Sequence, residues 1–120
     1  METSSAVVAL AALAQDSRLQ IFRLLVKAGP EGAAAGKIGD TLNLPGATLS
    51  FHLTQLRTAG LVTFRREGRS LIYVAEYDAM NALIGFLTEN CCGGDRGACM
   101  PDQSGVCGPV SLPTATRATP

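Results

Sequence analysis

The 120-residue chain has no excess of either charge, because ten Lys and Arg balance ten Asp and Glu. The overall balance therefore gives no sign of a polyanionic partner, and a charged face has to be local. There is a single histidine, His52. No Cys, His or carboxylate stands near it at ligand spacing, which argues against a metal site there. No cysteine occurs before residue 90. A disulfide framework would spread its cysteines through a secreted chain, so the four thiols read as reduced and cytosolic. The longest apolar run, residues 6–14, is far too short to span a bilayer. Glu2 is acidic and no basic residue precedes it, which argues against a signal peptide. No internal repeat is visible. No anion-cradling glycine loop precedes a helix, as a phosphate-binding enzyme would need. With 47% hydrophobic residues and this length, one soluble domain with a real core is expected, hardly two.

What is present centres on residues 48–60, T-L-S-F-H-L-T-Q-L-R-T-A-G. Wound at about 100° per residue, Leu49, Leu53 and Leu56 share one apolar face. Thr48, Phe51, Gln55 and Thr58 share the opposite face. That outer face carries no carboxylate to repel a phosphate backbone. Gly60 is placed to end the helix with positive φ. One apolar face to hold the helix and one uncharged hydrogen-bonding face to read base edges suit a major groove. Ser50 and Arg57 lie on the flanks. His52 lies about 60° from the centre of the apolar stripe, so a groove-edge or phosphate contact is expected of it. Residues 48–69 hold four arginines (57, 65, 66 and 69) against Glu67 alone, a local charge of +3.

The rest of the chain frames this stretch. Ser4 or Ser5 can cap a first helix through Gln15, with Val7, Leu10, Ala11 and Ala14 at helical spacing. Asp16 can cap a second helix to Ala28, with an apolar stripe of Leu19, Phe22 and Val26 widened by Ile21 and Leu25. Gly29-Pro30 stops it. Residues 31–36 read as a small-residue loop, and residues 37–42 as a short helix, with Ala34 or Ala35 as alternative starts. The turn Asn43-Leu44-Pro45-Gly46 leads into the Thr48 helix, which makes a helix-turn-helix. Residues 62–66 and 71–77 read as two strands joined at Glu67-Gly68-Arg69-Ser70. This basic ribbon is a wing, with Arg66 and Arg69 at its tip. Asp78 can cap a last helix to about Glu89, with Met80, Leu83, Ile84 and Leu87 apolar. The predicted fold is mainly α with a two-stranded β-wing. Residues 93–120 are rich in Gly, Pro, Ser and Thr and read as a flexible tail.

The segments D-S-R-L-Q-I-F-R-L-L, L-S-F-H-L-T-Q-L-R-T-A-G-L-V and R-R-E-G-R-S-L-I-Y resemble those of the ArsR/SmtB family of winged helix-turn-helix repressors. The resemblance covers about residues 5–92. It implies a homodimer paired through its first and last helices, repressing a metal- or metalloid-resistance operon from double-stranded operator DNA. It also implies that residues 1–92 form the DNA-binding and dimerisation domain. The family's Cys-x-Cys metalloid site ahead of the recognition helix is missing, since residues 33–41 hold no cysteine. Its zinc site on the last helix uses Asp and His, and here that helix offers Asp78 and Glu89 but no His. Instead Glu89-Asn90-Cys91-Cys92, followed by Cys99, resembles a subgroup of arsenite repressors with thiols at the end of the last helix.

The cysteines themselves favour a soft ion. Cys91 and Cys92 would diverge on a continuing helix, but Gly93-Gly94 can let the helix unwind and the sulfurs converge. Cys99 can return to them across a short Gly-rich loop. Three thiolates without His or carboxylate suit trivalent arsenic. Arsenite is the expected effector, with antimonite or a methylated trivalent arsenical as alternatives. Zinc or cadmium would want a fourth ligand, for which Cys107 is available. Adjacent thiols can also oxidise, so a redox switch stays open. A thiol enzyme is disfavoured, because a helix C-terminus raises rather than lowers a thiol pKa. The expected metalloid ligands are Cys91, Cys92 and Cys99. The expected DNA contacts are Thr48, Ser50, Phe51, His52, Gln55, Arg57, Arg66 and Arg69. The expected location is cytoplasmic, with no membrane partner.

Overall fold

A computed structural model describes residues 1–91. The chain divides into two units, residues 1–87 and 88–120. The first holds α1 (Thr3–Leu13), α2 (Asp16–Ala28), a 3-10 turn (Gly29–Glu31), β1 (Ala33–Ala34), α3 (Ala35–Leu42), α4 (Gly46–Thr58), β2 (Val62–Glu67), β3 (Ser70–Ala75) and α5 (Tyr77–Leu87). The strands form one antiparallel sheet in the order β1-β3-β2. No helix among the described residues is long and apolar enough to cross a membrane.

The first helix is turned relative to expectation. Ala6, Ala9 and Ala12 are its buried residues, while Val7, Val8 and Leu10 are exposed. Ala11 and Ala14, expected on the inner face, are exposed as well. Methyl-sized side chains let α1 lie close against α2 and α4, and a bulkier residue would hold it off. The second helix buries Ile21, Phe22 and Leu25, and Leu19 stands half out at 45% exposure. Its N-cap is Gln15 rather than Asp16. The Gln15 side chain accepts from the Arg18 backbone N–H at 3.0 Å, and Asp16 supplies first-turn charge.

The core gathers Ile21, Leu25, Ile38, Leu56 and Leu61, all essentially sealed from solvent. At the end of α4 the chain closes a Schellman turn. The Leu61 N–H donates to the Leu56 carbonyl at 3.0 Å and the Gly60 N–H to the Arg57 carbonyl at 2.9 Å. Gly60 sits at φ +80°, which L side chains resist, as the motif requires. Leu56 and Leu61 are both in the core, the apolar contact that accompanies this cap.

The strand β1 was expected to be loop. Ala33 pairs with Tyr73 and Ala34 with Ile72, against the edge of β3. Gly32, at φ +69°, makes this approach possible, because a Cβ there would collide with the Tyr73 carbonyl. The last helix ends at Leu87, about half a turn before the expected end near Glu89. Tyr77 opens it, and Asp78 falls in its first turn instead of capping it.

Candidate nucleic-acid interface

Two helices and a tight turn set up the site. The third helix ends at Asn43, which takes the left-handed conformation at φ 57°. Asn tolerates that region better than most residues. The Leu44 N–H then donates to the Gly39 carbonyl at 2.9 Å. A Cβ on Gly39 would lie 3.2 Å from the Leu44 carbonyl oxygen and 3.4 Å from Leu49 Cδ2. Glycine here lets the turn and α4 close on α3. The helix α4 follows directly, with Pro45 at its N-cap and no side chain capping it.

The two faces of α4 separate sharply. Leu49, His52, Leu53 and Leu56 are buried. Thr48, Ser50, Phe51, Thr54, Gln55, Arg57 and Thr58 are exposed, Phe51 to 57%. Thr54 completes the outer face between Phe51 and Thr58. Its position about 140° from the centre of the apolar stripe could have revealed it from sequence.

His52 does not belong to that outer face, which corrects the expectation of a groove-edge or phosphate contact. It is 7% exposed, and its Nδ1 lies 3.3 Å from Arg18 Nη1. Burial lowers its pKa below the ordinary value of 6.5, and the neighbouring Arg18 guanidinium lowers it further. An apolar stripe wider than 100° takes in a residue 60° from its centre once a second helix covers it.

The wing is a two-residue hairpin. Glu67 pairs with Ser70, and Gly68 at φ 62° takes the first turn position, where a type II′ turn needs positive φ. Its arginines divide by role. Arg65 donates from Nε to Glu67 at 2.6 Å and from Nη2 to the Glu31 carbonyl at 3.0 Å, with Nη1 3.4 Å from the Pro30 carbonyl. It ties the wing to the 3-10 turn. Arg57 lies with its guanidinium 4.4 Å from the centre of the Phe64 ring, which fixes it where α4 meets β2. Arg66 and Arg69 are exposed. The Arg65–Glu67 pair cancels itself, so the local +3 resides on Arg57, Arg66 and Arg69.

Of the thiols, only Cys91 is within the described residues. It is half-buried at the end of a turn in which Asn90 has φ 59° and the Cys91 N–H donates to the Thr88 carbonyl at 3.0 Å. Cys92, Cys99 and Cys107 lie outside the described residues. Among the described residues no cluster of three His, Cys, Asp or Glu side chains is placed to hold a metal ion.

A helix-turn-helix with this hairpin behind it defines a winged helix-turn-helix, and known proteins share it. A family model described as a helix-turn-helix domain matches residues 13–64. The transcriptional activator HlyU of Vibrio cholerae is 34% identical over 85 residues, 71% of this chain and 76% of HlyU. Its solved structure superposes with a TM-score of 0.61 over 77% of this chain and 99% of that one. The nodulation protein NolR of Rhizobium meliloti is 35% identical over 80 residues, 67% of this chain and 63% of NolR, so this chain spans somewhat under two thirds of that relative. The homodimeric winged helix-turn-helix DNA-binding domain of Mb0332 from Mycobacterium bovis, described as a possible ArsR-family regulator, is 29% identical with a TM-score of 0.59. That match covers 72% of this chain and 81% of the domain. The chain is therefore a DNA-binding transcriptional regulator rather than an enzyme. It belongs to the ArsR family.

Proposed function

We propose that the chain acts as a homodimeric, operator-binding repressor that trivalent arsenic releases from DNA. The observation that supports the DNA contact best is the pairing of an exposed, uncharged face on α4 with a wing tip bearing Arg66 and Arg69. Phe51 packs on a thymine methyl or sugar wall, and Gln55, with Ser50, Thr48 or Thr54, hydrogen-bonds base edges. Arg57, Arg66 and Arg69 meet phosphates. The N–H groups of α4's first turn, which no side chain caps, offer a further place for a phosphate.

Dimerisation is supported by the exposed side chains of α1 (Val7, Val8, Leu10) and of α5 (Ile84, Leu87). An apolar groove of about 450 Å³ also opens between α2 and α5, lined by Leu19, Phe22, Val26, Met80 and Leu83 among others. Mb0332, a similar domain, is homodimeric.

The effector assignment rests on four cysteines in residues 91–107 with no histidine near them. Cys91, Cys92 and Cys99 supply three thiolates to arsenic, and Cys107 is spare. A redox reading is the second one, favoured by a solved structure of HlyU described as reduced. One experiment addresses both. Labelled DNA from upstream of the chain's own gene is bound, then titrated with arsenite, antimonite, zinc, cadmium and an oxidant. Cys91→Ser, Cys92→Ser and Cys99→Ser should each bind DNA and fail to release it with arsenite, while Cys107→Ser releases normally. Release by oxidant alone would replace arsenic with thiol oxidation. Full arsenite response in all four variants would end the thiol-sensing reading.

A further inference from the structure

We infer that Arg18 is a positioning residue that ties α4 to the last turn of α1 through an acceptor nitrogen on His52. Three hydrogen bonds meet at this one residue. Its backbone N–H donates to Gln15 Oε1 at 3.0 Å, which fixes where the side chain starts. Its Nε donates to the Ala12 carbonyl at 2.6 Å, and its Nη1 reaches His52 Nδ1 at 3.3 Å. Ala12 lies in the last turn of α1, where carbonyls have no intrahelical partner and a cation is favoured. His52 lies midway along α4, next to the exposed Phe51, and the two rings meet edge to face at 5.5 Å. A planar guanidinium thus bridges two helices, and a shift of α1 is passed to α4.

The bridge sets a condition on His52. Arginine only donates, so Nδ1 must be the unprotonated nitrogen and the ring must be neutral. Protonation would place an N–H and a second positive charge against the guanidinium and break the bridge. Among the described residues, Arg18 is the charged group that, after burial, lowers the pKa of the ring. Of the elements packed on α4, α1 has no charged residue. Lys37 and Asp40 of α3, and Asp16, Arg23 and Lys27 of α2, are exposed. In β2, Arg65 and Glu67 pair with each other, and Arg66 is exposed.

The inference rests on the reading that α4 contacts DNA, and the test separates the two. Operator affinity and thermal midpoint are measured for the full chain and for His52→Leu, His52→Asn and Gln55→Ala, from about pH 7.5 down to about pH 5. Asn Oδ1 stands where Nδ1 was and can accept, whereas Leu cannot. His52→Leu should lose about tenfold in operator affinity at the upper pH. His52→Asn should recover most of it. Wild-type affinity should weaken toward low pH, and His52→Asn should stay flat by comparison. If Gln55→Ala binds as wild type does, the α4 reading fails. If Gln55→Ala is impaired while His52→Leu binds normally, the inference alone fails. Should His52→Leu not fold, parallel pH profiles for wild type and His52→Asn still overturn the inference.

Discussion

The first and fourth helices are opposites. In α4 Leu49, Leu53 and Leu56 point inward, and the residues that point out are polar apart from Phe51. In α1 three alanines point inward while Val7, Val8 and Leu10 point out at 57%, 52% and 42% exposure. A helix that spends its bulk on the inside is held by its own fold. A helix that turns its bulk outward is matched to something beyond the protomer. The difference separates a mostly polar surface, open to the proposed DNA contact, from an apolar one, open to the proposed subunit contact.

The largest effect should come from the inner side of α4. Leu56 is fully buried, so Leu56→Ala leaves a cavity and should cost about 2–5 kcal/mol of stability by denaturant unfolding. A loss under about 0.5 kcal/mol, typical of a surface site, would mean that α4 is not anchored through this residue.

Next comes the outer side of α1. Val8→Glu places a charge in the proposed subunit contact, so sedimentation should show monomers. Operator affinity should drop by at least about 100-fold, because each half-site would then be bound without the gain from its tethered neighbour. Normal dimers in Val8→Glu would remove α1 from the interface and leave its exposed side chains without a role.

The two helices also show why sequence legibility was uneven. In α4, Leu and polar residues alternate at helical spacing, so its phase, Phe51's exposure and the role of Gly60 were readable. In α1, the run A-V-V-A-L-A-A-L is apolar on every side, so periodicity cannot assign an inner face. Only the close approach of α2 and α4 selects the alanines. His52 failed for a related reason. Its burial comes from a helix packed over it, and its partner Arg18 is 34 positions away, which no local pattern reports. The two-residue β1 is too short to show strand alternation and exists because Gly32 can approach β3. The hairpin was visible through Gly68, but the division of labour among its arginines was not. Arg65 is engaged by carbonyls 34 and 35 positions back.

A smaller effect is expected at Phe51, which tests the outer face of α4 directly. Phe51→Ala should change stability by no more than about 0.5 kcal/mol, because the ring is mostly exposed. Its specific operator affinity should fall about tenfold, with binding to random DNA little changed. A thermal midpoint lowered by many degrees would instead place Phe51 among the residues that hold the helix.

The finest distinction lies within the wing, between arginines one or a few positions apart. Counterion release makes each phosphate contact worth about one unit in the slope of log affinity against log salt. Arg69→Ala should therefore lower that slope by about one, and Arg66→Ala by as much or less, with specific and random DNA affected alike. Arg65→Ala differs because its N–H groups are occupied by Glu67 and the Pro30 and Glu31 carbonyls. Losing it frees Glu67, so the local charge becomes less positive, yet no phosphate partner is removed. Its slope should stay nearly constant, while the wing loses its tie to the 3-10 turn and exchanges amide protons faster in β2. If Arg65→Ala lowers the slope as much as Arg69→Ala does, the carbonyl contacts yield to phosphate when DNA arrives. The wing would then contribute three phosphate-binding arginines rather than two. If neither Arg66→Ala nor Arg69→Ala moves the slope, the hairpin leaves the contact surface and α4 binds alone.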